Sequence, residues 1–266
     1  MTVTSPETST QTRRGEPILS MNGVSKHFGA VAALTDIDLT VHRHEVVALV
    51  GDNGAGKSTL VKVLAGVHTP TKGQITFDGR EVSLPTPAAS MHLGIATVFQ
   101  DLALCENLSV VDNLFLGREL RPWRVDSVTM ETRSWTLLRE LSAKIPTVRI
   151  PVASLSGGQR QTVAIARSLL GAPKMIILDE PTAALGVAQT AEVLHLIGRL
   201  RERGLGVLMI SHNMSDVLKV ADRVAVLRLG RNGGEFRTEE TTQDEIVSAI
   251  TGSSERLRGD DRDVTT

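Results

Sequence analysis

A single cysteine, Cys105, in 266 residues leaves no second thiol for an internal disulfide and excludes a zinc site built on a cysteine cluster. Its expected place is that of a small residue in a loop or core. Charge of one sign is also lacking. Lys and Arg number 29 and Asp and Glu 30, a net charge of -1, so there is no electrostatic footprint for nucleic acid. No apolar run approaches the roughly 20 residues that cross a bilayer. The polar, threonine-rich start, Met1 to Glu16, lacks the apolar segment of a secretory leader. The expectation is therefore a cytosolic chain, docked at most on something in a membrane. There is no tandem repeat.

What is present is ordinary in bulk: 41% hydrophobic and 22% charged residues, near the average for soluble globular proteins. The length suits one large α/β domain or one core with a smaller inserted lobe. Two ends read as unpacked tails, Met1 to Pro17 and Gly252 to Thr266. The second contains Gly259-Asp260-Asp261-Arg262-Asp263, read as a solvated acidic cluster.

Between Ala33 and Val41 the residues Ile37, Leu39 and Val41 alternate with polar partners. Ile75 and Phe77 precede an Asp78-Gly79 turn. These patterns predict antiparallel hairpins near the N-terminus. Val46–Val50, Met175–Leu178, Val207–Ile210 and Val224–Leu227 are instead continuous apolar runs, as in a parallel sheet buried on both faces. From Asp101 to about Pro151 such runs vanish. Helical patterns follow Ser109 and surround Met130, Leu137, Leu138 and Leu141, which predicts a helical lobe, about 101–154, inserted into a core spanning 18–251.

Immediately after the first apolar run stands Gly51-Asp52-Asn53-Gly54-Ala55-Gly56-Lys57-Ser58-Thr59, and a helical pattern follows it. Strand, glycine-rich turn and helix start form a phosphate cradle, in which backbone N–H groups approach the anion closely. Lys57 supplies charge to the β- and γ-phosphates, and the Ser58 hydroxyl is placed to ligate Mg²⁺. The run Met175–Leu178 delivers Asp179 and Glu180 to the C-terminal edge of the same sheet, where open α/β folds bind ligands. Asp-Glu-Pro-Thr alone would read as a helix start. With the phosphate loop present, Asp179 is assigned to the metal, through water, and Glu180 to general base.

A second anion-binding helix start lies at Leu155-Ser156-Gly157-Gly158-Gln159. Ser156 and Gln159 have capping-box spacing, and the glycines leave N–H groups open. With one phosphate cradle already in the chain, this segment needs its own explanation. The pentapeptide resembles the signature of the ABC ATPase family, and the likeness runs from about Ile18 to Ile250. It implies a P-loop NTPase core with an antiparallel β-subdomain and an inserted α-helical subdomain. It also implies that the signature closes over ATP held by the opposite subunit. By the same likeness Phe28 stacks on adenine, Gln100 senses the metal and attacking water, and His212 is the switch histidine at the γ-phosphate. Taken without it, Phe28 reads equally as a core residue, Gln100 as a loop amide and His212 as a structural histidine. In one departure, Ala183-Ala184-Leu185-Gly186 ends in glycine where most of the family has aspartate, and Gly186 cannot make that residue's cross-dimer contacts.

Pro181–Thr190 and Asn107–Glu119 are similar to the carbohydrate-importer branch, the ribose, xylose and fructose systems. That likeness implies ATP and Mg²⁺ as cofactors, an ATP-bound homodimer, a membrane permease, and indirectly a periplasmic or extracellular sugar-binding protein. It places the chain on the inner face of the membrane, with a docking surface on the helical lobe near Gln100; Leu114, Phe115 and Leu116 read either as part of that surface or, somewhat better, as ordinary core positions. The alternatives are a soluble ABC-type ATPase acting on DNA or ribosomes, an importer of another solute, and a small-molecule P-loop kinase.

Overall fold

A computed structural model describes residues 16–120 and 126–253. Four strands form the first sheet: β1 (Pro17–Phe28), β2 (Val31–His42), β4 (Lys72–Phe77) and β5 (Arg80–Glu81), in the order β2-β1-β4-β5 and antiparallel throughout. Asp78 and Gly79, both at positive φ, make the turn between β4 and β5, as expected for this dipeptide. The second sheet runs β10 (Arg231–Arg237), β9 (Arg223–Arg228), β3 (Glu45–Val50), β8 (Gly206–Ile210), β7 (Met175–Asp179), β6 (Ile95–Val98). Its five neighbours from β9 to β6 are parallel, and only β10 is antiparallel.

The parallel strands are apolar throughout because each divides its residues between two cores. Val46, Ala48 and Val50 of β3, Ile176 and Leu178 of β7, and Val207 and Met209 of β8 enter one. Val47, Leu49, Met175, Ile177, Leu208 and Ile210 enter the other. The second core is shared with the antiparallel sheet and with α1 (Lys57–Leu64), whose Leu60, Val61, Val63 and Leu64 are buried. The first is covered by α5 (Gly157–Leu169), α6 (Val187–Glu202), α7 (Met214–Val220) and α8 (Gln243–Thr251), which all contribute side chains to it. That core continues without a break into the helical subdomain through α3 (Val110–Phe115) and α4 (Ser127–Glu140). The remaining helix, α2 (Pro87–Leu93), is started by the Thr86 cap and leads into β6.

At the sheet edge away from the phosphate loop, Glu45 and Arg223 form a buried pair, with Nε to Oε1 at 2.8 Å. His42 donates from its backbone N–H to Glu45, and Arg223 also meets Glu235. Burial pushes the Glu45 carboxyl up, but Arg223 and the His42 N–H outweigh it and hold the group below the ordinary glutamate range.

Several expectations change. Pro17 is the first residue of β1 and Gly252 caps α8, so the packed chain reaches one residue further at each end. The acidic cluster 259–263 lies outside the described residues. Leu114 and Phe115 are buried in the lobe core, because α3 is only six residues long and packs on α5 and α4. Of that trio only Leu116, 44% exposed, is at the surface. Among the described residues no helix is long and apolar enough to cross a membrane.

Candidate nucleotide site

Strand β3 stops at Val50 because Gly51 turns the chain at φ 151, a value L side chains rarely adopt. A Cβ on Gly51 would overlap the Leu227 carbonyl oxygen. The loop closes with Ala55 N–H donating to Asp52 O, and α1 starts at Gly56 (φ 105) with no side-chain cap. Its first N–H groups are thus left for a ligand. The hairpin between β9 and β10 supports the loop from below: Gly230 N–H donates to Ala55 O at 3.0 Å, and Thr35 N–H to Gly230 O at 2.7 Å.

Above the loop is a cleft of about 550 Å³ lined by residues 53–59, Gln100, Asp179 and Glu180, and by Val31–Ala33 and Leu229-Gly230. Lys57 folds back within the loop, where its ammonium donates to the carbonyls of Gly51 and Asp52. Burial lowers the Lys57 pKa from the usual lysine range, against the opposing charges of Glu180, Asp52 and Asp179. Glu180 holds a positive φ of 50, fixed by its N–H bond to Ile210 O at 3.0 Å across the β7–β8 pair. Its carboxylate meets His212 Nδ1 at 2.9 Å. Ser211 and Asn213 flank that histidine, Asn213 N–H donating to Ser211 Oγ while the Asn213 side chain caps α7. One level deeper, Thr182 donates to Asp216 at 2.9 Å and ties the segment after Glu180 to α7.

Burial, and then the neighbouring Glu180 charge, raise the Asp179 pKa, with Lys57 and Lys62 opposing. The fold thus favours the protonated acid. Its contribution to stability is largest below the unfolded-state value and falls as pH rises from there through the raised folded value. Asp179→Asn, uncharged at every pH, is expected to unfold at a higher temperature than the parent at pH 7. The gap should close towards acid pH, and thermal unfolding at several pH values measures it.

The structure brings loop residues 53–59, Gln100, Asp179 and Glu180 to one cleft, with Gly51 and Asp52 outside its lining and His212 bonded to Glu180. Phe28 is not in the core. It is 44% exposed at the end of β1, three residues before Val31 on the cleft wall, with the His68 ring edge-on at 5.0 Å and Lys26 over its face. Residues 155–159 do not line the cleft. Ser156 caps α5 in a complete capping box, and Gln159 Nε2 anchors the tip to Lys144 O at 2.7 Å. Leu155 is buried and Ser156 exposed. Missed by sequence reasoning were Val31–Ala33 and the Leu229-Gly230 hairpin; a Leu-Gly turn between two strands was the only signal available for the latter.

The profile of the ABC transporter family matches residues 34–183, which takes in the phosphate loop, the signature and both carboxylates. The chain is 44% identical over 235 residues to the Xylose/arabinose import ATP-binding protein XylG of Sulfolobus acidocaldarius, covering 88% of this chain and 94% of that protein. It is 42% identical over 252 residues to the Fructose import ATP-binding protein FrcA of Rhizobium meliloti, covering 91% and 97%. Among solved structures, a dimeric post-hydrolysis ATP-binding cassette bound to ADP and Pi superposes with a TM-score of 0.70 at 25% identity, over 83% of this chain and 98% of that one. The chain belongs to the ABC transporter family, as an ATP-binding subunit with the ATPase activity typical of such cassettes.

Proposed function

We infer that two copies of this chain, with ATP held between them, drive sugar import through a separate membrane permease. The observation that carries the reading is a division of anion-holding surfaces. The cleft gathers the lysine, the serine and both carboxylates, while the Ser156–Gly158 helix tip stands outside it, with Ser156 exposed and Gly158 buried beside Gln189 of α6. A tip its own cleft does not use suits the terminal phosphate of nucleotide on a second copy. That a dimeric cassette bound to ADP and Pi superposes on this chain supports a pair of copies.

In this reading Phe28 stacks on adenine and the N–H groups of 51–59 hold the phosphates. Lys57 exchanges its two loop carbonyls for phosphate oxygens. The Ser58 hydroxyl, the Gln100 amide oxygen and the Asp179 carboxylate fit magnesium, being hard oxygen donors few enough to leave positions for phosphate and water. When bound, the ion neutralises charge on the β- and γ-phosphates. Glu180 takes the proton of the attacking water, and His212 steadies that carboxylate.

The names of the relatives point to a sugar, and the recognised motifs of this chain are committed to ATP. Sugar selection therefore falls to a binding protein outside the membrane and to the permease, and the cassette sits on the cytoplasmic face. The groove beside Gln100, about 280 Å³ and lined by Met91, Phe99, Leu102 and Leu116, is the apolar surface offered to the permease.

Gentle membrane extraction of the tagged chain tests this reading. It is expected to recover a permease with its solute-binding partner. Stable association with nucleic acid and no membrane partner, or phosphate transferred to a sugar in place of release to water, would overturn it.

A further inference from the structure

Glu180 and His212 meet at 2.9 Å, yet the histidine side chain is 73% exposed. Packing therefore does not fix the ring, and its approach to the carboxylate depends on the backbone that carries it. That backbone is the turn 211–213, closed by the Asn213 N–H bond to Ser211 Oγ. It runs directly into α7, where the Asn213 side chain accepts from the N–H groups of Ser215 and Asp216. Glu180 stands at a positive φ, uncommon for a residue other than glycine, and leads into Pro181-Thr182.

The two segments are joined again behind this pair. Thr182, 9% exposed, donates its hydroxyl to the carboxylate of Asp216, 4% exposed, at 2.9 Å. With the Glu180 N–H bond to Ile210 O and the Glu180–His212 contact, this bond closes a ring through 180–182 and 210–216. Being buried, it keeps the strength that an exposed contact loses to water. We propose that Thr182 and Asp216 are positioning residues for ATP hydrolysis. Their bond holds the start of α7 against the segment after Glu180, and so keeps His212 at the base. The residue types suit the task. An ionised carboxylate only accepts, which commits the Thr182 hydroxyl to donate, and its place in the first turn of α7 favours the negative charge.

The inference rests on the reading of Glu180 as general base, and the test separates the two. Turnover of the full chain is measured against ATP concentration. Asp216→Asn, the conservative variant, keeps an oxygen to accept from Thr182 and is expected to retain most of kcat. Adding Thr182→Val breaks the bond at constant buried volume. It should lower kcat about 10 to 10²-fold, the cost of displacing a reacting group by about 1 Å. KM for ATP should stay within about twofold of the parent, because the phosphate loop is untouched. Placed on His212→Ala, the same two substitutions should cost little, since the contact they protect is already gone. A role in stability alone predicts the same fold-loss with and without His212. That result, or a kcat within about twofold of the parent, overturns the proposal and leaves the general base standing. Should the paired variant unfold in the assay, Thr182→Val with Asp216→Leu, which removes both polar groups together, is read by the same comparison. Glu180→Gln at parental turnover would overturn both.

Discussion

Replacing Glu180 with glutamine is expected to leave ATP binding within a few-fold of the parent and to slow phosphate release about 10² to 10⁴-fold, the range supplied by a positioned general base. The size of the loss follows from how little else changes. Glutamine has the same shape, and the backbone at φ 50 stays fixed by the Glu180 N–H to Ile210 carbonyl bond. His212, 2.9 Å from the carboxylate, keeps an oxygen or nitrogen partner. Only the capacity to take a proton from water is removed, while Lys57, Ser58 and the loop N–H groups are untouched. Because Glu180 and His212 act on one another, His212→Ala added to Glu180→Gln should cost much less than His212→Ala alone. Turnover near the parent's in the single Glu180→Gln variant would remove Glu180 from the chemistry.

Gly51→Ala is expected to lose more than about 3 kcal/mol of stability, which combines backbone strain of order 1–3 kcal/mol with an overlap that something must move to relieve. The overlap is with the Leu227 carbonyl oxygen, part of the β9 backbone, which cannot rotate away as the end of a side chain can. Both ends of that strand segment are held, by the parallel register with β3 and by the Gly230 N–H bond to Ala55 O. Gly54→Ala is the matched control: its φ is 82 but a Cβ there meets nothing, so only the strain component, about 1–2 kcal/mol, should appear. Urea midpoints for the pair measure the difference. Equal midpoints would show that the loop can draw back from β9 at no cost.

The parallel sheet was legible because its strands are apolar on both faces, a pattern few other elements produce at four to six residues. The signature start was legible from its cap spacing, and both halves of the capping box are present. Three strands were not, each for a physical reason. β1 breaks its alternation at a bulge, where the register shifts between Met21 and Val24 around Gly23. β6 has four residues and follows a glycine cap directly. β10, Arg-Asn-Gly-Gly-Glu-Phe-Arg, is an edge strand with one large apolar residue and relies on β9 for its pairing. The burial of Leu114 and Phe115 was open for a different reason. Six-residue α3 is too short for helical periodicity to separate a surface face from a core face.

The alternation of each parallel strand between two cores also determines how a mechanical load would travel. A push on the helical subdomain would pass from α3 to α5, on which it packs, and from α5 to β6, the strand paired with β7, whose Ile176 and Leu178 lie in the same core. Leu178 is covalently next to Asp179, so a displacement that reached β7 would arrive beside the carboxylate pair. The opposite face of that strand, with Ile177 against the antiparallel sheet and the phosphate-loop helix, acts as the fixed abutment.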